Sequence, residues 1–74
     1  MRKRIGALIW DALNERFDIR FGLEEYYGGL HCGDCLEVKI NSRWVSTRIE
    51  MKWPDTWYFI GIKTSEINGL IVRI

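Results

Sequence analysis

The feature that most limits what this chain can fold into is a two-residue alternation of apolar and polar side chains. In residues 16–21, three apolar side chains alternate with three charged ones, and alternate residues of a β-strand point to opposite faces of a sheet. The pattern recurs in residues 36–40, and in residues 45–51 if Thr47 turns its methyl group inward. Helical spacing of apolar residues is hard to find, so the chain is predicted to be all-β.

Three further segments complete a set of short strands separated by turn-forming residues, such as the pair Asn68-Gly69. Short strands at regular spacing are typical of a small antiparallel barrel, here SH3-like, with five to six strands and closed or partly closed. An open sheet would leave two exposed edges, so we expect the first and last strands to pair. The predicted strands are residues 3–10, 16–21, 36–40, 45–51, 57–62 and 70–74, with turns at 11–15, 41–43, 52–56 and 63–69.

One connection, residues 22–34, is too long for a tight hairpin and contains four of the seven glycines. Loops of this length in a compact domain tend to be functional or disordered. Tyr26, Tyr27 and Leu30 predict that this loop packs down onto the barrel, and residues 23–27 are compatible with a single helical turn.

Length and composition limit the class of protein. The 74 residues fit one domain, residues 1–74, and 47% hydrophobic residues exclude disorder. The net charge of +1 provides no overall field toward nucleic acid or a membrane. We expect no export signal, because the apolar run at residues 5–10, after the basic residues 2–4, is short. We expect no membrane span, because the longest apolar stretches fall far short of the roughly 20 residues needed. With two cysteines in one motif instead of several spread disulfides, a cytoplasmic location is expected.

The pentapeptide at residues 31–35 is the one segment with metal-ligand spacing. Cys32 and Cys35 could direct two thiolates at one tetrahedral zinc, and Gly33 permits the tight turn that this requires. No second ligand pair follows, so His31, a carboxylate, water or a second copy of the motif would complete the site. Zinc bound through these residues and a pair of reduced thiols both stay open as interpretations. A redox role is disfavoured because the motif precedes a strand.

Aromatic side chains with basic neighbours form a second candidate surface. Bases stack on aromatic rings while arginine neutralises phosphates, and tryptophan, tyrosine and arginine are also enriched at protein interfaces. Asp18, Glu37 and Glu50 alternate with the basic residues, which favours cross-strand ion pairs on a solvated face. Around the proline turn, we expect Trp57 to be partly buried and Trp53 to be available. The candidate partner-binding residues are Tyr26, Tyr27, Trp44, Trp53, Arg16, Arg20 and Arg48.

Several segments carry a resemblance to known proteins. Gly33-Asp34 opening a strand, with Trp44 in the next strand, resembles SH3-like small barrels. A wider set, covering nearly the whole chain, resembles an uncharacterised domain-of-unknown-function family of very small bacterial proteins, often carried by phages and other mobile elements. The resemblance supplies no enzymatic activity, because the family has none assigned. It implies a setting in which small proteins bind a host protein, some as inhibitors of CRISPR nucleases. The wider set consists of residues 16–22, 26–33, 47–50, 57–58, 69–70 and 72–74.

These observations lead to one hypothesis and two alternatives. The hypothesis is a non-enzymatic, mobile-element-borne interaction module that contacts a host protein, such as a nucleic-acid-processing complex, through residues 22–34 and the nearby aromatic residues. A catalytic role is disfavoured because His31 lacks an evident nucleophile or orienting acid. The alternatives are a small-barrel nucleic-acid binder and a scaffold stabilised by zinc. A monomer and a homodimer are both compatible with the sequence.

Overall fold

The computed structural model describes residues 3–64 and 66–74, and that part of the chain contains six β-strands and no helix. All strand pairs are antiparallel. The all-β class is therefore confirmed, and each strand lies within two residues of its predicted bounds except at the end of the fifth. The strands are β1 (Ile5–Asp11), β2 (Arg16–Arg20), β3 (Cys35–Ile40), β4 (Arg43–Lys52), β5 (Thr56–Phe59) and β6 (Ile71–Arg73).

The strands form one curled sheet in the order β2-β1-β6-β3-β4-β5. The predicted pairing of the first and last strands is confirmed, since Gly6 of β1 lies opposite Val72 of β6. Among the described residues, β2 and β5 share no strand pairing. Their side chains meet instead, with the rings of Phe17 and Trp57 in an edge-to-face contact at 6.4 Å. The barrel is thus only partly closed, and side chains fill its seam.

The core lies on the inner face of this curled sheet. Every strand contributes to it through alternate positions, which is why a two-residue period in the sequence predicts the buried face. Leu30 and Ile67, from two connecting segments, complete the interior. The buried strand residues are Leu8, Phe17, Ile19, Leu36, Val38, Ile49, Phe59 and Val72.

The 22–34 loop runs along the outer edge of β2. The backbone N–H groups of Tyr27 and Leu30 donate to the carbonyls of Ile19 and Phe17, at 2.9 and 2.8 Å. A strand at the end of a sheet otherwise presents unpaired backbone groups that attract other chains. The loop therefore packs down as predicted, and it protects the β2 edge.

The helical turn suggested for residues 23–27 is wrong. The carbonyl of Glu25 accepts a hydrogen bond from the N–H of Phe21 at 2.8 Å, and Tyr26 forms a β-bridge with Arg20. Residues in this segment pair with the sheet edge because backbone groups left without a partner are costly. A helical turn would have used the same groups internally.

Gly6 marks a close approach between β1 and the end of β2. A β-carbon at this position would lie 2.5 Å from the carbonyl oxygen of Arg20 and 2.7 Å from a methyl of Ile19. Since one obstacle is backbone, we expect Gly6→Ala to lower the free energy of unfolding by about 3 kcal/mol. Gly22→Ala is the control, because a β-carbon there meets nothing closer than 3.6 Å. Urea unfolding of both variants tests this, and equal midpoints would contradict it.

Candidate functional site

The predicted site residues fall in three separate places. Tyr26, Tyr27, Arg16 and Arg20 lie around β2 and the loop that covers its edge, where both tyrosines are about half exposed. Trp44 and Arg48 lie on β4. Trp53 follows β4 in the turn to β5, and it is 83% exposed, whereas Trp57 is half-buried, as predicted for both. His31, Cys32 and Cys35 lie at the start of β3 and just before it.

The cysteine motif is exposed, and both thiols are free. Asp34 is turned toward this motif, since its Oδ2 accepts the backbone N–H of His31 at 2.8 Å and lies 3.8 Å from His31 Nδ1. In residues 3–64 and 66–74 no three histidine, cysteine or acidic side chains are grouped so that they could hold a metal ion. One chain therefore offers at most a half-site of two thiolates, and the zinc hypothesis needs further ligands from outside it.

In its dimeric form, with a second copy of the motif, the zinc hypothesis predicts one zinc ion per two chains, because two such half-sites supply the four ligands of a tetrahedral zinc. Elemental analysis measures the zinc content per chain, and size-exclusion chromatography measures how many chains associate. Cys32→Ser should abolish zinc and dimer together, and it should lower the melting temperature. A metal-free monomer whose melting temperature is unchanged by a chelator would contradict the hypothesis.

An ion-pair network lies on the outer face where β3 meets β6. Glu37 lies opposite Arg73, whose Nε and Nη2 donate to the two carboxylate oxygens at 2.9 and 3.1 Å. The ammonium of Lys3 also contacts Glu37. Hydrogen bonds lower the pKa of Glu37 from 4.5 to about 2, and those from Arg73 have a larger effect than the one from Lys3. The cross-strand ion pair expected for Glu37 is therefore present.

Trp44 is covered by the same network. The guanidinium carbon of Arg73 lies 4.3 Å from the centroid of the Trp44 ring, and the Lys39 ammonium lies 5.8 Å from it. Cation–π contacts of this kind stabilise the side chains in place. Arg48 pairs with Glu50 along its own strand, with its Nε 2.9 Å from the carboxylate. This group of residues is thus occupied with internal contacts.

Stability should depend on pH through Glu37. A carboxyl group whose pKa is lowered by folding stabilises the folded state above its ordinary pKa of 4.5, and this contribution is lost as pH falls toward 2. We expect Glu37→Gln to be less stable than the parent at neutral pH, with the difference vanishing near pH 2. Denaturant unfolding across this range measures it. The exposed Glu24, changed to Gln, is the control, and a parallel pH profile for Glu37→Gln and the parent would refute the expectation.

Asp18 lies on the outer side of β2, as its place in the alternation predicts, but the expectation of a solvated, ion-paired residue is wrong. It is only 8% exposed. Its Oδ1 accepts the backbone N–H groups of Ile19, Gly28 and Gly29 at 2.8, 2.9 and 2.9 Å. We call this arrangement the Asp18 clamp. It ties the middle of the 22–34 loop to the strand that the loop covers.

Glycine makes the Asp18 clamp possible. Gly28 and Gly29 have φ values of 112° and 102°, which side-chain-bearing residues rarely adopt. A β-carbon on Gly29 would also lie 3.0 Å from Cδ of Arg16. Two successive glycines can therefore turn both N–H groups toward one carboxylate oxygen without steric cost.

Next to the clamp, the outer face of the β1–β2 hairpin forms a groove of about 480 Å³. We call it the outer groove. Ile9 and Asp18, which lie opposite each other in β1 and β2, form part of its lining. Leu13, in the hairpin turn, is 95% exposed at its border. The lining includes Ile9, Asp11, Leu13, Asp18 and Tyr26.

The hairpin turn that carries Leu13 is fixed by Asp11. The Asp11 carboxylate accepts the backbone N–H groups of Leu13 and Asn14 at 3.1 and 3.3 Å, and the Asn14 side-chain amide at 2.8 Å. The hydrogen bonds from Asn14 are the main reason that the pKa of Asp11 is lowered. Leu13 is thus held at the border of the outer groove by its own turn.

Comparison with known proteins places this fold in a family. A family model described as a domain of unknown function (DUF5348) matches residues 6–74. The chain belongs to the DUF5348 family. It is also similar to a protein from Ruminococcus gnavus whose crystal structure is known, with 51% sequence identity and a TM-score of 0.88 over 96% of this chain and 100% of that one. No curated protein matches it. The predicted resemblance to an uncharacterised family is confirmed.

The sequence predicted the groove of this DUF5348 domain only in part. Tyr26 was a candidate, whereas Leu13 and Asp18 were not. Leu13 carries a usable signal, because a large apolar residue in a hairpin turn has no inner face to pack on. For Asp18 the only signal is the Gly28-Gly29 pair.

In the part of the domain that the structure describes, no helix is both long and apolar enough to cross a bilayer.

Proposed function

We propose that this DUF5348 domain is a non-enzymatic module that binds a protein partner through the outer groove. The observation that carries the proposal is the concentration of large apolar side chains in contact with solvent there. Leu13 is 95% exposed and Tyr26 is 50% exposed, and both line the same groove. Concave sites lined by apolar side chains with a few polar groups are typical of binding sites, and tyrosine is among the residues enriched at interfaces.

The walls of the outer groove are fixed before any partner arrives. The Asp18 clamp holds the loop that carries Tyr26, and Asp11 fixes the turn that carries Leu13. A binding surface that is already ordered loses less conformational entropy when a partner docks. Preorganisation of this kind supports recognition of one defined surface.

The partner in this proposal is a host protein in the cytoplasm, bound by an SH3-like small barrel encoded on a phage or other mobile element. Inhibition of a defence nuclease of the CRISPR type is one concrete version. Support for this setting comes from the resemblance of the sequence to small mobile-element proteins, which is an argument from analogy. The groove itself supports protein binding without specifying the partner.

Binding of nucleic acid is the alternative, and the side chains proposed for it have internal contacts. Arg20 donates to the carbonyls of Gly22 and Leu23 at 2.9 and 3.3 Å. The Trp44 ring is covered by Arg73. A basic surface that binds phosphates would need to break such contacts, and its affinity for oligonucleotides would fall steeply with salt. Binding to oligonucleotides with that salt dependence would support the alternative over the protein partner.

Affinity capture from extracts of the native host tests the proposed function. The double variant Leu13→Ser, Tyr26→Ala removes the two most exposed large side chains of the groove. We expect it to reduce capture of the specific partner by about tenfold or more, since such anchors dominate interface energies. Ile5→Ser is the control, because Ile5 is 58% exposed and lies outside the groove. Quantitative mass spectrometry measures the captured proteins. Equal capture by the parent and both variants would mean that the groove is not the contact surface.

A further inference from the structure

The two carboxylate oxygens of Asp18 are used unequally. Oδ1 accepts three backbone N–H groups, whereas Oδ2 accepts no hydrogen bond from residues 3–64 and 66–74. In that same part of the chain, no fully buried side-chain oxygen or nitrogen lacks a partner. It follows that Oδ2 keeps contact with solvent. Asp18 lines both the outer groove and a smaller hollow beside it, so this contact is made there.

We propose that the outer groove receives a lysine or arginine side chain of the partner, whose cationic head donates to Asp18 Oδ2. The inference rests on the proposed function, and it adds the chemistry of the group that is bound. Asp18 is only 8% exposed, so its Oδ2 has little surface open to water. A charged donor is therefore its most favourable partner, because hydrogen bonds between ionised groups are about twice as strong as neutral ones.

None of the residues that the structure describes supplies this cation. Arg16 also lines the smaller hollow, and its Nε donates to the carbonyl of Asn14 at 3.4 Å. Among the described residues, Asp18 takes part in no salt bridge. A divalent metal is also disfavoured, because no third acidic, histidine or cysteine ligand lies close enough in this part of the structure. An organic cation needs only one such oxygen.

The remaining walls suit the stem of a basic side chain. Ile9, Leu13 and Tyr26 offer apolar surface to the methylene groups, in the way that lysine and arginine stems cover apolar surface elsewhere. The tyrosine ring can add a cation–π contact. The carboxylate of Asp11, also in the lining, adds negative charge while its own oxygens hold the hairpin turn. The groove therefore combines an apolar passage with a negative end.

Asp18→Asn separates the binding role of Asp18 from its structural role. The amide oxygen can continue to accept the three N–H groups of the Asp18 clamp, while the NH₂ group replaces Oδ2 and presents donors to the groove. Intact signals from the Gly28 and Gly29 amides in NMR spectra would show that the clamp persists. Asp55→Asn is the matched control, because it changes the net charge equally in the turn before β5, outside the groove.

The probes are n-butylguanidinium and n-butylammonium, with n-butylurea as the neutral analogue. Titration of the ¹⁵N-labelled protein should shift the amide signals of Gly28, Gly29 and Tyr26 with both cations. We expect binding at least about tenfold weaker for n-butylurea, and for the cations with Asp18→Asn, because one charge-assisted hydrogen bond is lost. Asp55→Asn should bind the cations like the parent. Equal binding of the urea and the cations, unchanged binding by Asp18→Asn, or no shift with either cation would each overturn the inference.

The capture experiment keeps this inference separate from the proposed function. If the groove double variant abolishes capture but the cations do not bind at Asp18, the inference is wrong and the proposed function stands. If the double variant leaves capture unchanged, the proposed function is wrong whatever the probes do. Capture reduced by both the double variant and Asp18→Asn, but not by Asp55→Asn, supports both.

Discussion

The pairing of β6 with both β1 and β3 is the interaction on which the rest of this structure depends. β6 has only three residues, Ile71–Arg73, yet it is the strand that joins the β1–β2 hairpin to β3, β4 and β5. Val72 is fully buried between the two halves, while Arg73 on the opposite face holds Glu37 across the β3 junction. A strand of three residues can form this link because it is held on both faces. Val72 is buried on one face, and its neighbour Arg73 forms a bidentate ion pair with Glu37 on the other.

The two end strands of this joined sheet each need protection for their outer edge. β2 and β5 do not pair, so each leaves an edge, and exposed edges promote unwanted pairing with other chains. At β2 the 22–34 loop lies along the edge and is held there by the Asp18 clamp. The outer groove exists because of this solution, since the loop that protects the edge also brings Tyr26 over the hairpin. The candidate site is therefore a by-product of how the edge is covered.

The sequence predicted the sheet well because alternation reports which face of each strand is buried. Phe17 and Ile19 are buried as their positions require. The burial of Asp18 is what the alternation does not predict. Its position in the alternation gives the correct face, but burial on that face depends on a segment ten residues further along the chain, and local periodicity contains no information about which segment covers a strand. The helical turn expected at residues 23–27 failed for the same reason, since pairing with β2 is a tertiary effect.

Asp18 also shows how one residue can serve both stability and recognition without conflict. Three N–H groups donate to Oδ1 alone. These three hydrogen bonds hold the loop on β2, so Oδ2 is not needed to hold it. Had the three donors been shared between the two oxygens, any ligand would compete with the loop for the carboxylate, and binding would loosen the wall of its own site. The division between Oδ1 and Oδ2 removes that competition.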